Sequence, residues 1–102
     1  MRKITEQVVN AFMRGDSFAS SNTRTDGDTI WLHDNAIAWR DGRDVVIHHA
    51  TWHTRTTRER LNGLLNVIAP HLGVVQRDHI EYIQDTTANT MLPFGDPYVI
   101  EG

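Results

Sequence analysis

Three short apolar segments in the middle of the chain are separated by two tight-turn signals, and they constrain the fold more than any other stretch. Residues 29–33 and 36–40 flank Asp34-Asn35, a pair suited to the positive φ angles of a two-residue hairpin loop. Asp41-Gly42 or Gly42-Arg43 then turns the chain into residues 45–49. The pattern predicts an antiparallel β-meander.

The first loop decides which side chains share a face of this meander. A two-residue loop sets Leu32 opposite Ile37 on one face. It sets Ile30 opposite Trp39 on the same face, because side chains alternate along a strand. The opposite face then carries Trp31, His33, Ala36 and Ala38. We therefore expect Trp31 and Trp39 to point to opposite faces.

The second loop leaves two registers open. A loop of three residues places Val45 and Ile47 on the face of Ile30 and Leu32. With a two-residue loop, Val46 and His48 lie there instead. A slip of one residue exchanges the two faces, so the sequence does not choose between them.

An amphipathic helix is predicted before the meander, over about residues 4–14. Ile4, Val8, Ala11 and Phe12 recur at helical spacing, and Gly15 follows where a left-handed cap is expected. Residues 18–27 are rich in Ser, Thr and Asn, which predicts a loop running into an edge strand near residues 22–25.

A second helix follows the meander. Thr56 and Glu59 have the spacing of a capping box at its start. Pro70 and Gly73 mark its end. The apolar positions at helical spacing are Leu61, Leu64, Leu65, Ile68 and Leu72.

The rest of the chain predicts little regular structure. Residues 74–77 and 79–83 are predicted to form a second small hairpin, residues 85–97 to be irregular, and residues 98–100 to add a short strand.

The predicted class is α+β: an antiparallel β-meander of three to four strands with two amphipathic helices and a small C-terminal hairpin. A chain of 102 residues has the size of one domain, so we expect residues 1–102 to form a single domain.

Composition excludes several classes of protein. The absence of cysteine removes disulfide scaffolds, thiolate zinc sites and cysteine nucleophiles. The net charge of −3 argues against a polycation that binds nucleic acid as a whole, so an anion site must be local. No apolar run is long enough for a membrane span or a signal peptide, which predicts a soluble intracellular protein without membrane association.

Three strings of residues form a recognisable pattern, after a helix that starts Met1-Arg2-Lys3-Ile4-Thr5-Glu6-Gln7. They are Ser21-Asn22-Thr23, then Thr29-x-x-Leu32-His33-x-Asn35-x-Ile37-Ala38, then Trp52-x-Thr54-x-Thr56-Thr57-Arg58-x-Arg60-Leu61-Asn62-x-Leu64. In these residues the chain resembles a family of small bacteriophage and prophage proteins, over roughly residues 1–65. The C-terminal part departs from that family, with Gln76-Arg77-Asp78-His79 in place of Gln-Lys-Lys-Gly and Phe94-Gly95-Asp96 in place of Trp-Asp-Gly. The resemblance implies a phage origin and no particular activity.

The start of the second helix is the first candidate site. Free backbone amides and the helix dipole attract anions there, arginine forks and threonine hydroxyls add donors, and a tryptophan can stack on a base. The residues of this candidate are Trp52, Thr54, Arg55, Thr56, Arg58 and Arg60. The competing interpretation is that Thr56 and Glu59 only cap the helix, Trp52 packs in the core and the arginines are solvated.

Trp31 is the second candidate. Exposed beside His33, Ala36 and Ala38, it makes a flat apolar patch for a partner or a homodimer. If both faces of the sheet are covered, no such patch exists.

Other chemistry is weakly supported. His48, His49 and His53 form a loose cluster, but zinc needs three or four converging ligands, and satisfied or surface histidines are the favoured interpretation. No nucleophile elbow or glycine-rich phosphate loop is present. We therefore expect no enzyme, no catalytic residues, no cofactor and no metal.

These observations favour a small non-enzymatic phage accessory protein in the host cytoplasm that binds a host protein and inhibits a defence or housekeeping function. The alternative is a nucleic-acid- or nucleotide-binding protein that uses the arginine-rich start of the second helix.

Overall fold

The computed structural model describes residues 3–49, 54–95 and 97–102. Within these ranges it has two helices, α1 (Lys3–Arg14) and α2 (Arg55–Ile68). The strands in the same ranges are β1 (Phe18–Ser20), β2 (Thr23–Thr25), β3 (Thr29–Leu32), β4 (Asn35–Asp41), β5 (Asp44–Ile47), β6 (Leu72–Arg77), β7 (Ile80–Asp85), β8 (Thr90–Pro93) and β9 (Tyr98–Ile100).

The strands form two antiparallel sheets. The larger sheet has the order β1-β2-β3-β4-β5-β9, and the smaller has the order β6-β7-β8. The α+β class is confirmed, but the predicted meander of three to four strands is too small. Residues 18–20, predicted as loop, form the end strand β1, so the edge does not lie at residues 22–25. Residues 90–93 of the supposedly irregular tail form β8, which turns the C-terminal hairpin into a three-stranded sheet.

Helix α1 ends as its sequence predicts. Gly15 has a φ of 75°, which residues with a Cβ rarely adopt. The Gly15 amide donates to the Phe12 carbonyl at 3.2 Å, and the Asp16 amide donates to the Ala11 carbonyl at 2.9 Å. This pair of bonds is a Schellman motif, which satisfies the last carbonyls of the helix. Val8, Val9, Ala11 and Phe12 are buried.

The hairpin between β3 and β4 forms one residue earlier than predicted. Its turn residues are His33 and Asp34, with φ of 51° and 65°. The pairing then shifts between Ile30 and Trp31. The observed pairs are Leu32 with Asn35, Trp31 with Ala36, Ile30 with Ala38 and Thr29 with Trp39.

The skipped residue is Ile37, which makes a β-bulge in β4. Ile37 and Ala38 are both buried, at 1% and 0% exposure, so the alternation of side chains restarts after the bulge. The predicted pairs of Leu32 with Ile37 and Ile30 with Trp39 are therefore wrong, and Ala38 lies in the core. Trp31 lies between the core residues Ile30 and Leu32, and Trp39 follows the core residue Ala38, so both tryptophans point away from the core on the same face of the sheet.

The bulge also resolves the second register. The β4–β5 turn has two residues, since Asp41 pairs with Asp44 and Gly42 has a φ of 62°. Even so, Val45 and Ile47 join the core. The sequence argument linked that outcome to a three-residue loop, and it failed because it assumed unbroken alternation along β4.

One hydrophobic cluster joins the helices to both sheets. Residues from α1 and α2 pack on the inner face of the larger sheet, and Leu72, Val74 and Ile83 of the smaller sheet belong to the same cluster. Leu72, predicted as the last apolar position of the helix, begins β6 instead. The C-cap of α2 is Ala69.

The cap of α2 lies two residues before the predicted one. Thr54 is extended, and its Oγ1 accepts from the Thr57 amide at 3.2 Å. The Thr57 hydroxyl lies 3.0 Å from the Thr54 hydroxyl. The predicted capping box of Thr56 with Glu59 is wrong, because Thr56 lies within the helix and Glu59 bonds to Thr5 and Arg60.

Two matched threonine substitutions test this cap. Thr54→Ala should lower the free energy of unfolding by about 1 kcal/mol, since it removes the acceptor for the Thr57 amide. Thr56→Ala should change it by less than about 0.5 kcal/mol. Urea denaturation followed by circular dichroism measures both, and the reverse ranking would place the cap at Thr56.

Candidate interaction surface

The predicted anion site begins with Arg60, whose side chain is buried at 4% exposure. Its Nη1 donates to Thr5 Oγ1 at 2.6 Å, and its Nε donates to Thr23 Oγ1 at 3.1 Å. Its Nη1 also lies 3.3 Å from Glu59 Oε2. Arg60 therefore ties α2 to α1 and β2, and its guanidinium faces the interior of the protein.

Arg58 makes a second link within the fold. Its Nη1 lies 3.3 Å from Glu81 Oε2, and the Glu81 side chain is only 1% exposed. A buried carboxylate needs a partner of opposite charge, so this pair holds α2 against β7. Arg58 keeps 19% of its side chain exposed.

The other residues of the predicted site are less engaged. Thr54 caps α2, Arg55 is exposed and Thr56 is half-buried. Trp52 lies outside the described residues. Since Arg58 and Arg60 point their charges at internal partners, Arg55 is the arginine that α2 presents fully to solvent among the described positions.

Replacing Arg60 should be costly, whereas replacing Arg55 should not. Arg60→Ala removes the partner of two buried hydroxyls, and we expect a loss of about 2–4 kcal/mol in the free energy of unfolding. Arg55→Ala should change it by less than about 0.5 kcal/mol. Urea unfolding of the two variants provides the comparison, and equal stabilities would show that Arg60 does not tie the helices to the sheet.

Within the described ranges, the histidines do not form a metal centre. His49 is 4% exposed and packs edge-on against Phe94, with ring centroids 5.2 Å apart. The His48 and His49 rings lie 4.8 Å apart. His53 is outside the described ranges. Within those ranges, no three His, Asp or Glu side chains are grouped so as to hold a metal ion.

Trp31 lies at a different kind of site. The Arg24 guanidinium stacks over the Trp31 ring, with its carbon 4.4 Å from the ring centroid. Arg24 also lies 3.2 Å from Asp34 Oδ1, and its side chain remains 42% exposed. We call this pair, on the outer face of the larger sheet, the Arg24–Trp31 platform.

Two cavities adjoin the platform and share Ala19 and Arg24. The first, of about 250 Å³, lies at the turn end of the sheet and is lined by Ala19, Ser21, Asn22, Thr23, Arg24, His33 and Asp34. The second, of about 450 Å³, is a shallow groove beside β1 lined by Ser17, Phe18, Ala19, Arg24, Thr25, Asp26 and Trp31. The platform thus lies between a polar cleft and a more apolar groove.

The turn end of the sheet is held together by hydrogen bonds between hairpins. The His33 amide donates to the Asn22 carbonyl at 2.8 Å, and Thr23 Oγ1 donates to Asn22 Oδ1 at 2.8 Å. Thr23 also accepts from Arg60. The three strings that carry the family resemblance therefore meet here, through Asn22, His33 and Arg60.

The loop between β2 and β3 borders the groove and is fixed by Asp26. Its Oδ1 accepts from the amides of Asp28 and Thr29, each at 2.9 Å. These two bonds are the main reason that the pKa of Asp26 is lowered from its ordinary value of 3.8, and the charge of Arg24 adds to them. Asp26 is therefore ionised at neutral pH. Gly27 is required beside it, since its φ is 91° and a Cβ would collide with the backbone of Gly15.

The sequence pointed to Trp31 but not to Arg24, Asp26 or Asp34. Arg24 faces Trp31 only because β2 pairs with β3 in a register that sets these residues opposite each other. A charged residue opposite an aromatic one on neighbouring strands is the signal that would have located the platform.

The lowered pKa of Asp26 predicts how the stability of the protein changes at acid pH. Because the folded pKa is lower than the unfolded one, the contribution of this carboxylate to stability is present above about pH 4 and is lost as the pH falls through the folded pKa. Asp26→Asn retains the Oδ1 acceptor but cannot titrate, so its stability should depend less on pH in this range. Carboxyl-carbon NMR titration should show a midpoint below 3.8, and a midpoint above that value would contradict the assignment.

The fold and surface define a small α+β protein whose larger sheet carries the Arg24–Trp31 platform on its outer face. Comparison with known families places it further: the chain matches the Kyanoviridae Gp96 protein family over residues 1–100 and belongs to that family. The predicted phage origin is thereby confirmed. No curated protein and no solved structure gives a match. None of the helices in the described ranges has the length and apolarity needed to cross a membrane.

Proposed function

We propose that this phage protein is a non-enzymatic binding protein that acts in the host cytoplasm on a host protein, through the Arg24–Trp31 platform. The observation that carries the proposal is the stack of the Arg24 guanidinium over Trp31 between two cavities. In this proposal, the phage protein inhibits a defence or housekeeping function of the host protein because it occupies part of the host protein's surface.

The composition of the platform favours protein binding. Tryptophan and arginine are the residue types that most often dominate protein–protein interfaces. Arg24 is already ordered by the ring of Trp31 and the carboxylate of Asp34, so little side-chain entropy is lost when a partner arrives. Asp34 is 90% exposed, and an ion pair so open to water is readily exchanged for a contact with a partner.

The contacts of α2 support the alternative of nucleic-acid binding less well. Phosphate contacts need accessible cations, whereas Arg60 is buried and Arg58 faces Glu81. The net charge of −3 adds an unfavourable background for a polyanion.

Capture from a lysate of the phage's host tests the proposal. The intact protein is immobilised, the lysate is treated with nuclease, and bound proteins are identified by mass spectrometry. We expect one host protein to be retained, and we expect Arg24→Ala combined with Trp31→Ala to weaken its binding at least tenfold, because the pair is the anchor of the interface. Arg77→Ala, an exposed arginine on the smaller sheet, is the matched control and should leave binding unchanged.

Other outcomes contradict the proposal. The nucleic-acid alternative would be selected if binding disappears after nuclease treatment and the logarithm of the affinity falls linearly with the logarithm of the salt concentration. Retention of a host protein that is unaffected by the double substitution would move the interface away from the platform. A dimer in sedimentation equilibrium that is abolished by the double substitution would show that the platform binds a second copy instead.

A further inference from the structure

Strand β1 is an end strand of the larger sheet. It pairs with β2 through Phe18 with Thr25, Ala19 with Arg24 and Ser20 with Thr23. On its other side, no strand in the described ranges is paired with it. Such an edge offers alternate backbone N–H and C=O groups to an incoming strand.

The groove of about 450 Å³ adjoins this edge on the outer face of the larger sheet, where residues of β1, β2 and β3 line it. Ser17, Phe18 and Ala19 supply one wall, and Trp31 and Arg24 supply the outer-face wall. Ser17, Phe18 and Ala19 are consecutive residues, so an extended peptide whose backbone pairs with β1 would run beside the groove. Alternate side chains of that peptide would lie on the outer face, beside Ala19 at the β1 side of the groove.

Charge at the mouth of the groove indicates what kind of segment fits. Arg14 is paired with Asp16 at 3.0 Å, and Arg24 with Asp34 at 3.2 Å. Asp26 lines the groove and Asp28 follows it in the same exposed loop. Neither makes an ion pair within the described residues. Arg40 reaches the same loop, where its Nε donates to the Gly27 carbonyl at 3.3 Å, so the two carboxylates leave one net negative charge at the mouth. A basic side chain complements it.

We propose that an extended basic segment of the protein partner adds to the free edge of β1 and continues the larger sheet. The inference rests on the proposed function, since it specifies how a partner reaches the platform. Backbone hydrogen bonds to β1 supply affinity, the apolar wall orients alternate side chains, and a lysine or arginine of the segment faces Asp26 and Asp28. The incoming strand thereby extends the outer face of the larger sheet on the free side of β1, with β1 and β2 between it and Trp31.

A pair of simple peptides tests this mode of binding. The probe is an acetylated, amidated peptide of four Val-Lys repeats, and its control has four Val-Glu repeats. In NMR titrations of the full chain, the Val-Lys peptide should shift the amides of residues 18–20 and slow their hydrogen exchange at least tenfold. The Val-Glu peptide should bind at least fivefold more weakly.

Asp26→Asn is the informative variant, because it removes the charge and keeps the Oδ1 acceptor of the loop. It should weaken binding of the Val-Lys peptide about two- to fivefold, as expected for a solvent-exposed ion pair. Asp85→Asn is the matched control. Asp85 likewise accepts two backbone amides through Oδ1, in the β7–β8 turn of the other sheet, and its replacement should have no effect.

Three results would overturn the inference: no binding of the Val-Lys peptide, equal binding of the two peptides, or protection confined to β8 or β9. Its failure is separable from failure of the proposed function. If a host protein still depends on Arg24 and Trp31 for capture while β1 gains no protection, the platform binds its partner by another geometry. If that dependence is also absent, the proposed function fails as well.

Discussion

The architecture depends on one buried cation. Arg60 reaches from α2 to Thr5 in α1 and Thr23 in β2, residues that lie 55 and 37 positions away in sequence. A guanidinium removed from water is tolerated only when its donors are satisfied, so the three elements must meet in one geometry. Because Thr23 also bonds to Asn22, this geometry extends to the hairpin turns that border the platform.

A single inserted residue, Ile37, determines which side chains lie on each face of the larger sheet. Ile37 at the bulge lets β4 place two consecutive residues in the core and then resume alternation. Without it, Trp39 would lie on the face of Ile30. With it, Trp31 and Trp39 share the outer face, and Val46 faces the same side opposite Trp39. The bulge thus places the tryptophans of both β3 and β4 on the outer face of the sheet, away from the core.

Patterns among neighbouring residues predicted the elements that form from residues close together in the chain, namely α1 and the hairpins. The spacing in α1 and Gly15 located that helix to within a residue. Both hairpins were predicted, but the turn of the first was placed one residue late, and the second was predicted only over residues 74–77 and 79–83. The bulge has no sequence signal of its own, because it follows from the need to bury both Ile37 and Ala38. Three threonines stand near the start of α2, and the pattern with Glu59 selected the wrong one as its cap.

The candidate site was predicted only in part, for a related reason. Trp31 was identified, since an aromatic residue in a short strand is conspicuous. Arg58 and Arg60 were predicted to bind an anion or a partner, with a solvated face as the alternative. Their observed partners are distant in sequence, and no local pattern reveals them. Arg24 was missed because its relation to Trp31 depends on strand register.

The larger sheet is completed out of sequence order, and this affects how the protein folds. Neighbours β5 and β9 pair through Ile47 with Tyr98, so helix α2 and the entire smaller sheet are inserted between two adjacent strands. Closing such a long loop is entropically costly until the inserted part is compact. The hairpins form from nearby residues, whereas the β5–β9 pairing is a non-local contact of the kind that slows folding. Folding of α2 and the smaller sheet therefore brings β9 to the edge of the larger sheet, beside β5.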